Sequence, residues 1–585
     1  MLFRSDPSRL SHFHEVQGDL TRVPCHAANR AARADAAIAD DHPITRMVAD
    51  ASVELDTDPD VGGALPEGDL ALDGVPADLA AAVSTLVAVA GEAMETRDGA
   101  FEQLTAARTS RVFDLAADTW LPGGAALDPD DADEGTLFDA AQPGRTELLE
   151  GGIRMAQVVD EIDWEQFAGL DVSATVETDL GLVLLRGPGA DVYDPSEDPQ
   201  LDEPILLIVD TGGDDVYRVP AGASNDASHP IGVAVDLGGS DTYGYVEVPT
   251  DFDDPALLPA DDAGRTTSLD GYGAISRSTV PRQGAGVTGY GLLLDLGGAD
   301  DTYQSLRISQ GFAAWGVGVL WDDGGDDTYL GEAGVQGAAW GGVALAYDGG
   351  GNDTRRAYSI AQAHGFVLGS GTLYDAGGDD SYELVVNEML LYYSSQTPTT
   401  GNASMGQGCA FGWRRDASGN HYSGGLALLR DVSGDDTYEA STFAQGVGYW
   451  MGTGELVDSA GNDTYDGLFY TAGSGAHFAI GALLDADGDD AYGTRYLATH
   501  SVVGLAHDFS VAVLVDGGGN DTWRGVDRSL GASKCHGLGL LVDRAGDDSY
   551  TSNHERSIGW ATDYDGAQGS CDDRSDLPTY GLFVD

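Results

Sequence analysis

Pairs of aspartates five residues apart recur along the second half of the chain, and their carboxylates are the groups in this sequence best suited to binding a cation. Residues 322–329 read Asp-Asp-Gly-Gly-Asp-Asp-Thr-Tyr, a copy of the pattern Asp-x-Gly-Gly-x-Asp-Thr-Tyr. The pattern returns about every 27 residues with small changes. Carboxylate oxygens, together with the turn carbonyls that paired glycines free, suit a hard cation of high coordination number. They therefore point to calcium rather than to zinc or copper.

The repeated pairs define twenty predicted metal ligands. The first aspartates of the copies are Asp236, Asp295, Asp322, Asp348, Asp375, Asp431, Asp458, Asp485, Asp516 and Asp543. The second aspartates are Asp241, Asp301, Asp327, Asp353, Asp380, Asp436, Asp463, Asp490, Asp521 and Asp548. The copy at Asp295 has one extra residue, the copy at Asp348 ends in Arg355 instead of an aromatic residue, and looser copies begin at Arg186 and Asp210.

A fixed period of this length is typical of a solenoid, in which each repeat buries its apolar face only against its neighbours. An alternating strand, such as residues 316–321, precedes the first aspartate, and a second strand starts at Thr-Tyr with the tyrosine inward. A glutamine marks the third segment, as in Gln283, Gln310, Gln336, Gln362, Gln407, Gln445 and Gln568. We predict a mainly β protein, a parallel β-helix with three short strands per coil, whose glutamines stack and hydrogen-bond along the axis.

The first part of the chain lacks the repeat. Residues 77–115 and 148–167 have helical spacing of apolar positions. We predict a helical cap or small domain over residues 1–178 and the solenoid over residues 179–585. Insertions at residues 244–282, 385–425 and 551–567 fall at one corner of the coil and so project from one side.

Stacking one turn per coil places like charges in rows. Carboxylates about 5 Å apart repel by about 3 kcal/mol per pair at an effective dielectric constant of 20. One interpretation is that a counterion, calcium, offsets this repulsion. The other is that the aspartates cap the tight turn by accepting backbone N–H groups. Calcium binding and turn capping can both occur, in different coils.

The turn resembles a known family at residues 461–465 (Gly-Asn-Asp-Thr-Tyr) and 519–523 (Gly-Asn-Asp-Thr-Trp). These look like the core of the glycine-rich nonapeptide of repeats-in-toxin proteins, in which the aspartate and turn carbonyls of successive coils bind calcium. The resemblance implies that the second aspartates of the copies are the ligands. The chain departs from the family because aspartate replaces its first glycine and because each coil contains one such turn.

Composition narrows the functional classes. The formal net charge is -68, with 97 acidic residues and a single lysine, Lys534. Such a chain repels nucleic acid. The acidic excess is either a solvating surface, as in proteins that work in high salt, or a set of cation ligands. We predict no membrane span, because no apolar stretch approaches the length that is needed to cross a membrane.

The cysteines and the chain ends bear on the cellular location. Four cysteines are too few for a disulfide framework, although Cys535 and Cys571 can meet across adjacent coils. Residues 1–10 lack the apolar core of a signal peptide. Residues 581–585 look like the start of a further repeat, so the chain can be a fragment, and the missing signal argues only weakly against export.

Two functions of different classes follow from these patterns. The first is a non-enzymatic, calcium-stabilised β-solenoid, secreted or on the cell surface, that acts as a structural or adhesion module and binds polysaccharide or another surface component. The second is a carbohydrate-active enzyme, a lyase, hydrolase or epimerase, by fold analogy alone. The residues predicted to contact a partner are Arg355, Tyr392, Tyr393, Trp413, Arg414 and Arg415.

Overall fold

The protein is a parallel β-solenoid of about 11 coils with an N-terminal helical region, which confirms the predicted fold class. The computed structural model describes residues 22–57, 59, 62–118, 142, 144–245, 280–386, 403–413, 422–493, 503–552, 558–562 and 579–585. The chain divides into two compact units, one of Arg33–Gly350 and the other of Met1–Ala32 with Gly351–Asp585. Each unit contains all three faces of the solenoid.

Five α-helices lie within the described part of the N-terminal region: α1 Arg22–Ile38, α2 Pro43–Glu54, α3 Ala77–Ala100, α4 Ala106–Asp118 and α5 Arg145–Glu161. Pro43 begins α2, where its fixed φ suits the first helical turn and its missing N–H costs nothing. The helical spacing over residues 77–115 corresponds to two helices, α3 and α4. The predicted helix at residues 148–167 is α5 followed by a 3₁₀ turn, Trp164–Phe167.

Helix α5 packs on the outer face of the solenoid at two adjacent glycines. A Cβ on Gly151 would lie 2.1 Å from the Tyr290 hydroxyl oxygen, and one on Gly152 would lie 2.2 Å from Cγ2 of Val317. The Tyr290 hydroxyl donates a hydrogen bond to the carbonyl of Leu148 at 2.9 Å. Small residues therefore allow the helix backbone to approach the sheet closely.

Helix α3 is long and apolar enough, by length and composition alone, to cross a membrane, a feature that inspection of the sequence missed. In the structure it packs along α5, with Leu79, Val83 and Leu86 fully buried. Arg97 near its end is also buried and donates to the carbonyl of Thr288 at 2.7 Å. These contacts pack part of the helix against the rest of the folded chain, and 39% of its most apolar 18-residue window is buried.

The first sheet consists of the strands that precede the turn. In the unit Arg33–Gly350 they are β1 Ala174–Thr178, β2 Gly181–Arg186, β4 Ile205–Asp210, β6 Ile231–Asp236, β9 Tyr290–Asp295, β12 Val317–Asp322 and β15 Val343–Asp348. In the other unit they are β18 Ser370–Asp375, β22 Leu426–Asp431, β26 Thr453–Val457, β29 Ile480–Leu484, β32 Val511–Asp516, β35 Leu538–Asp543 and β38 Tyr580–Val584. β1 pairs antiparallel with β2 and so covers the edge of the first coil.

The second sheet contains the strands that follow the turn. They are β3 Val192–Tyr193, β5 Val216–Tyr217, β7 Thr242–Tyr243, β10 Thr302–Gln304 and β13 Thr328–Leu330 in the first unit. In the second they are β16 Thr354–Ala357, β19 Ser381–Leu384, β23 Thr437–Glu439, β27 Thr464–Asp466, β30 Ala491–Gly493, β33 Thr522–Gly525 and β36 Ser549–Ser552.

The third sheet is formed by short strands that complete each coil. They are β8 Gly286–Val287, β11 Ala313–Ala314 and β14 Ala338–Trp340, and then β17 His364–Gly365, β21 Cys409–Phe411, β25 Gly448–Tyr449, β28 Gly475–Ala476, β31 Ala506–His507, β34 Ser533–Lys534 and β37 Ala561–Thr562. β20 Ala403–Gly406 and β24 Thr442–Ala444 pair separately at a neighbouring corner.

Stacked aromatic rings fill the coil interior beside the second sheet. Tyr193, Tyr217, Tyr243, Tyr303 and Tyr329 stack nearly parallel, with ring centroids 4.6–4.8 Å apart. This spacing follows from the parallel register, which places each tyrosine directly above its counterpart. The second unit contains the corresponding stack of Tyr382, Tyr438, Tyr465, Tyr492 and Trp523.

The glutamines occupy a corner where the backbone is left-handed. Gln310 has φ of +53°, a conformation that costs free energy for a residue with a Cβ. Its Nε2 donates to the carbonyl of Tyr303 in its own coil at 3.0 Å and to that of Leu330 in the next coil at 2.9 Å. The predicted bonding along the axis therefore runs through backbone carbonyls. The pair Gln407–Gln362, at 3.1 Å, is bonded side chain to side chain.

A buried ion pair attaches α1 to the outer face of the first sheet. Glu455 on β26 has no exposed surface and accepts from Arg30 Nη1 at 2.6 Å and from His26 Nδ1 at 2.8 Å. Burial alone would raise the pKa of Glu455, but Arg30 and His26 outweigh it and hold that pKa at about 2. Glu455 is therefore ionised and is held by α1.

We expect Glu455→Ala to lower the free energy of unfolding by about 3–5 kcal/mol, because it removes the carboxylate partner of a buried guanidinium. Urea unfolding followed by circular dichroism at pH 7 measures this. Asp50→Ala is the matched control, since the Arg46–Asp50 pair on α2 is partly exposed to solvent and surface pairs contribute about 0–1 kcal/mol. Equal effects of the two substitutions would show that the Glu455 pair does not attach α1.

Candidate metal centre

Two rows of aspartates run along the turn of the solenoid. The first ladder is formed by the aspartates that end or directly follow the strands of the first sheet: Asp210, Asp236, Asp295, Asp322 and Asp348, then Asp375, Asp431, Asp458, Asp485, Asp516 and Asp543. The second ladder is formed by the aspartates that precede the second sheet: Asp191, Asp215, Asp241, Asp301 and Asp327, then Asp353, Asp380, Asp436, Asp463, Asp490, Asp521 and Asp548. All are buried except Asp191 and Asp548, which are half-buried.

Glycine makes the turn between the ladders possible. Gly239 has φ of +142°, and a Cβ at that position would lie 1.3 Å from the carbonyl oxygen of Gly213 in the preceding coil. Neither the backbone conformation nor the space admits a side chain. The turns therefore stack closely, and this brings the aspartates of successive coils together.

In nine members of the first ladder the carboxylate is bonded through both oxygens, whereas Oδ1 of Asp485 and Oδ1 of Asp543 are buried without a hydrogen-bond partner. Oδ1 of Asp322 accepts the backbone N–H of Gly324 at 2.8 Å, and Oδ2 accepts the hydroxyl of Tyr303 in the preceding coil at 2.5 Å. Where tryptophan replaces tyrosine, the indole N–H of Trp523 donates to Oδ2 of Asp543 at 3.0 Å. The first ladder thus caps the turn and anchors the aromatic stack.

In seven members of the second ladder only one carboxylate oxygen, Oδ1, is bonded. Oδ1 of Asp241 accepts the backbone N–H of Asp215 in the preceding coil at 2.6 Å. Oδ2 of Asp241 is buried and has no hydrogen-bond partner. Oδ2 is in the same state in Asp215, Asp301, Asp436, Asp463, Asp490 and Asp521. A buried carboxylate oxygen in this state is costly unless it holds a proton or a cation.

The unpartnered oxygens converge on carboxylates of the first ladder. Carboxylate oxygens of Asp215, Asp236 and Asp241 lie within 4.8 Å of one another. The next set is Asp241, Asp295 and Asp301, so Asp241 belongs to two successive sets. Further sets of the same kind are Asp191, Asp210 and Asp215, and Asp301, Asp322 and Asp327. Each set can hold a metal ion.

The local electrostatics favour a positive charge at these sets. Burial, reinforced by the Asp295 carboxylate, raises the pKa of Asp241 to about 8 and that of Asp301 to about 10. Burial and the Asp458 carboxylate raise the pKa of Asp463 to about 10. Carboxyls that resist ionising together take up either protons or a cation.

The two interpretations of the repeated aspartates concern different oxygens. Oδ1 of most aspartates in both ladders accepts a backbone N–H group, which is turn capping. Oδ2 in the second ladder lies near other carboxylates, in sets that could hold a metal ion. The twenty aspartates predicted as ligands all fall in the two ladders. The ladders are adjacent within each turn and across successive turns.

The predicted partner contacts are distributed differently. Arg355 is 2% exposed and pairs inside the coil with Asp353 and Asp375. Trp413 is half-buried beside Tyr422, with ring centroids 5.7 Å apart. The remaining predicted contacts lie outside the described residues: Tyr392, Tyr393, Arg414 and Arg415. Most of the predicted insertions at residues 244–282, 385–425 and 551–567 also lie outside them.

Three of the ladder aspartates were not predicted as ligands from the sequence, and a further row was not identified from it. Asp191, Asp210 and Asp215 belong to the looser copies of the repeat, and Tyr193 and Tyr217, which follow the turn as in the other copies, could have indicated them. An outer ladder precedes the second one and bonds in the opposite direction, as when Asp326 N–H donates to Oδ1 of Asp300 at 3.0 Å. Its members are short and polar throughout: Asp214, Ser240, Asp300, Asp326, Asn352, Asp379, Asp435, Asn462, Asp489, Asn520 and Asp547.

Comparison with known proteins assigns no family to this arrangement. No family model matches the chain, and no curated protein or solved structure is significantly similar to it.

Without divalent cations, we expect the free energy of unfolding to fall as pH rises from about 6 to about 10. The folded-state pKa values of Asp215 (about 7), Asp241 (about 8) and Asp301 (about 10) exceed the unfolded value of about 3.9. Between the unfolded and folded pKa values the native state therefore binds more protons than the unfolded state. Stability falls across that range by about 1.4 kcal/mol per pH unit for each extra proton that the native state still holds, and a group's contribution is lost once pH passes its folded pKa.

Chemical unfolding in chelator across this pH range measures the slope, and the same series in calcium is the control, in which the slope should be smaller. Stability that rises with pH in chelator would contradict the arrangement of the ladders.

Proposed function

We propose that this protein is a calcium-stabilised β-solenoid that works as a structural and binding module outside the cell. The observation that carries the proposal is the repeated set of three carboxylates, in which a second-ladder Oδ2 is buried without a hydrogen-bond partner. The sets recur coil after coil, so cation binding would act on the whole length of the solenoid. Ions that bind only the folded state stabilise it by mass action.

Calcium suits these sets better than other divalent cations do. All the side-chain donors are oxygens, which disfavours zinc and copper. Magnesium demands a compact octahedral shell, whereas calcium accepts irregular shells of carboxylates, carbonyls and water. Neighbouring sets share an aspartate, so bound ions repel one another, and the resulting modest affinity suits the calcium concentrations outside cells.

The disulfide supports an extracellular location. Cys535 is disulfide-bonded, whereas Cys25 and Cys409 are free thiols. The predicted partner of Cys535, Cys571, lies outside the described residues. Disulfides persist in oxidising compartments and are rare in the cytosol. We therefore propose that the protein is secreted or displayed on the cell surface.

We expect calcium, but not magnesium at equal concentration, to raise the thermal unfolding midpoint, and chelator to reverse the effect. At 100 times the dissociation constant, each site contributes about 2.7 kcal/mol. Circular dichroism at fixed ionic strength measures the midpoint. If chelator has no effect and sodium chloride alone stabilises, the aspartates are turn caps on a salt-adapted surface and the proposal is wrong.

Two neighbouring substitutions separate cation binding from turn capping. Asp301→Asn keeps Oδ1, which accepts the N–H of Asp241, but removes the charge from two carboxylate sets. We expect it to stabilise the protein in chelator and to reduce the calcium-induced shift. Asp300→Asn is the control, because Asp300 is exposed and keeps its own acceptor role. If both variants respond to calcium alike, the second ladder is not the binding site.

Trp413 is the described residue best placed to contact a polysaccharide, since it is partly exposed and pairs with a second aromatic ring. We expect wild-type protein in calcium to be retained by at least one member of a panel of immobilised polysaccharides, and Trp413→Ala to lose that retention with an unchanged melting temperature. Retention equal to that of the wild type would remove Trp413 from the binding surface.

A further inference from the structure

One coil of the second unit contains a permanent positive charge where its neighbours have an aromatic residue. Arg355 on β16 is in register with Tyr382 on β19 and so belongs to the row of stacked aromatic rings. Its side chain is 2% exposed, and the carboxylates of its two partners, Asp353 and Asp375, have no exposed surface. A charge so deeply buried is retained only where opposite charge surrounds it.

The turn around Arg355 is otherwise built like the turns that form carboxylate sets. The N–H of Asp353 donates to Oδ1 of Asp380 at 2.6 Å, as the N–H of Asp215 does to Oδ1 of Asp241 at the same distance. Oδ1 of Asp375 accepts from the backbone two residues later at 3.1 Å, as Oδ1 of Asp236 does at 2.9 Å. Asp353, Asp375 and Asp380 therefore hold the places that Asp215, Asp236 and Asp241 hold in the other unit.

The difference lies in the group that faces these carboxylates. In the set of Asp215, Asp236 and Asp241, the Tyr217 hydroxyl bonds to Asp236 and leaves Oδ2 of Asp215 without a hydrogen bond. In the Arg355 coil, a single nitrogen, Nη2, donates to Oδ2 of Asp375 at 2.7 Å and to Oδ2 of Asp353 at 2.9 Å. The guanidinium thus binds the oxygen that would otherwise face a cation.

We infer that Arg355 takes the place of a bound cation, so that the set of Asp353, Asp375 and Asp380 binds no divalent ion and the row of calcium sites is interrupted there. The guanidinium offsets the carboxylate charge and fills the space between two ligand oxygens. This inference rests on the proposed function, because it assumes that the sets without an arginine bind calcium. The Arg355 coil then keeps a positive charge beside its carboxylates even in chelator.

The test is to count bound calcium ions by native mass spectrometry in the full-length protein and in Arg355→Tyr, which restores the aromatic residue of the repeat. We expect Arg355→Tyr to bind one calcium ion more than the wild type. Arg355→Lys, which keeps a positive charge, is the matched control and should bind the wild-type number. An unchanged count in Arg355→Tyr would overturn the inference, whereas no bound calcium in any protein would overturn the proposed function with it.

A second pair of variants tests the inference if Arg355→Tyr does not fold. In an otherwise wild-type chain, Asp375→Asn should leave the calcium count unchanged, because its coil holds no ion. Asp236→Asn at the corresponding position of the other unit should lose one ion. Loss of an ion in Asp375→Asn would show that calcium binds beside Arg355 and would overturn the inference. Loss in neither variant, with calcium bound elsewhere, would exclude the first ladder as a ligand and so overturn the inference, which places Arg355 between ligand oxygens of both ladders.

Discussion

The structure depends on one constraint, the parallel stacking of each residue above its counterpart in the next coil at about 4.8 Å. For tyrosine rings this is favourable, because stacked aromatic faces exclude water and each hydroxyl reaches the next turn. For carboxylates it is unfavourable, because like charges are held at a distance where they repel by several kcal/mol. The aspartates are nevertheless the most regular feature of the repeat, so the fold must offset their charge at every coil.

Backbone hydrogen bonding explains why aspartate occurs at these positions at all. A tight turn leaves N–H groups that cannot pair as they would within a strand, and buried N–H groups need acceptors. Oδ1 of Asp322 accepts one within its own turn, and Oδ1 of Asp241 accepts one from the preceding coil. The glutamines do the reverse at another corner, where Nε2 of Gln310 donates to carbonyls of two coils. Side chains thus continue between coils the bonding that the sheets provide elsewhere.

The negative charge of the buried carboxylates is offset by different groups in the two ladders. Tyrosine hydroxyls and turn N–H groups stabilise the first ladder. The second ladder keeps a buried oxygen that bonds to neither, and burial among carboxylates raises the pKa values of its members. A bound proton or a bound cation would supply the missing partner of that oxygen. At Asp353 the guanidinium of Arg355 supplies it instead. The pKa of Glu455 is shifted in the opposite direction, because Arg30 and His26 of α1 keep this buried carboxylate ionised.

The sequence by itself determined the period, the fold class and the two rows of aspartates, because a repeat repeats its local turn chemistry and parallel stacking converts sequence period into spatial alignment. Only the tertiary structure decided which carboxylate oxygen each neighbour binds, since Tyr303 and Asp322 are bonded across coils and no local pattern states that contact. The same holds for Arg355. Its sequence context predicts a contact with a partner, whereas only the tertiary structure shows its burial between Asp353 and Asp375. Such roles depend on burial by residues that are distant in sequence. The spacing of residues along the chain does not reveal that burial.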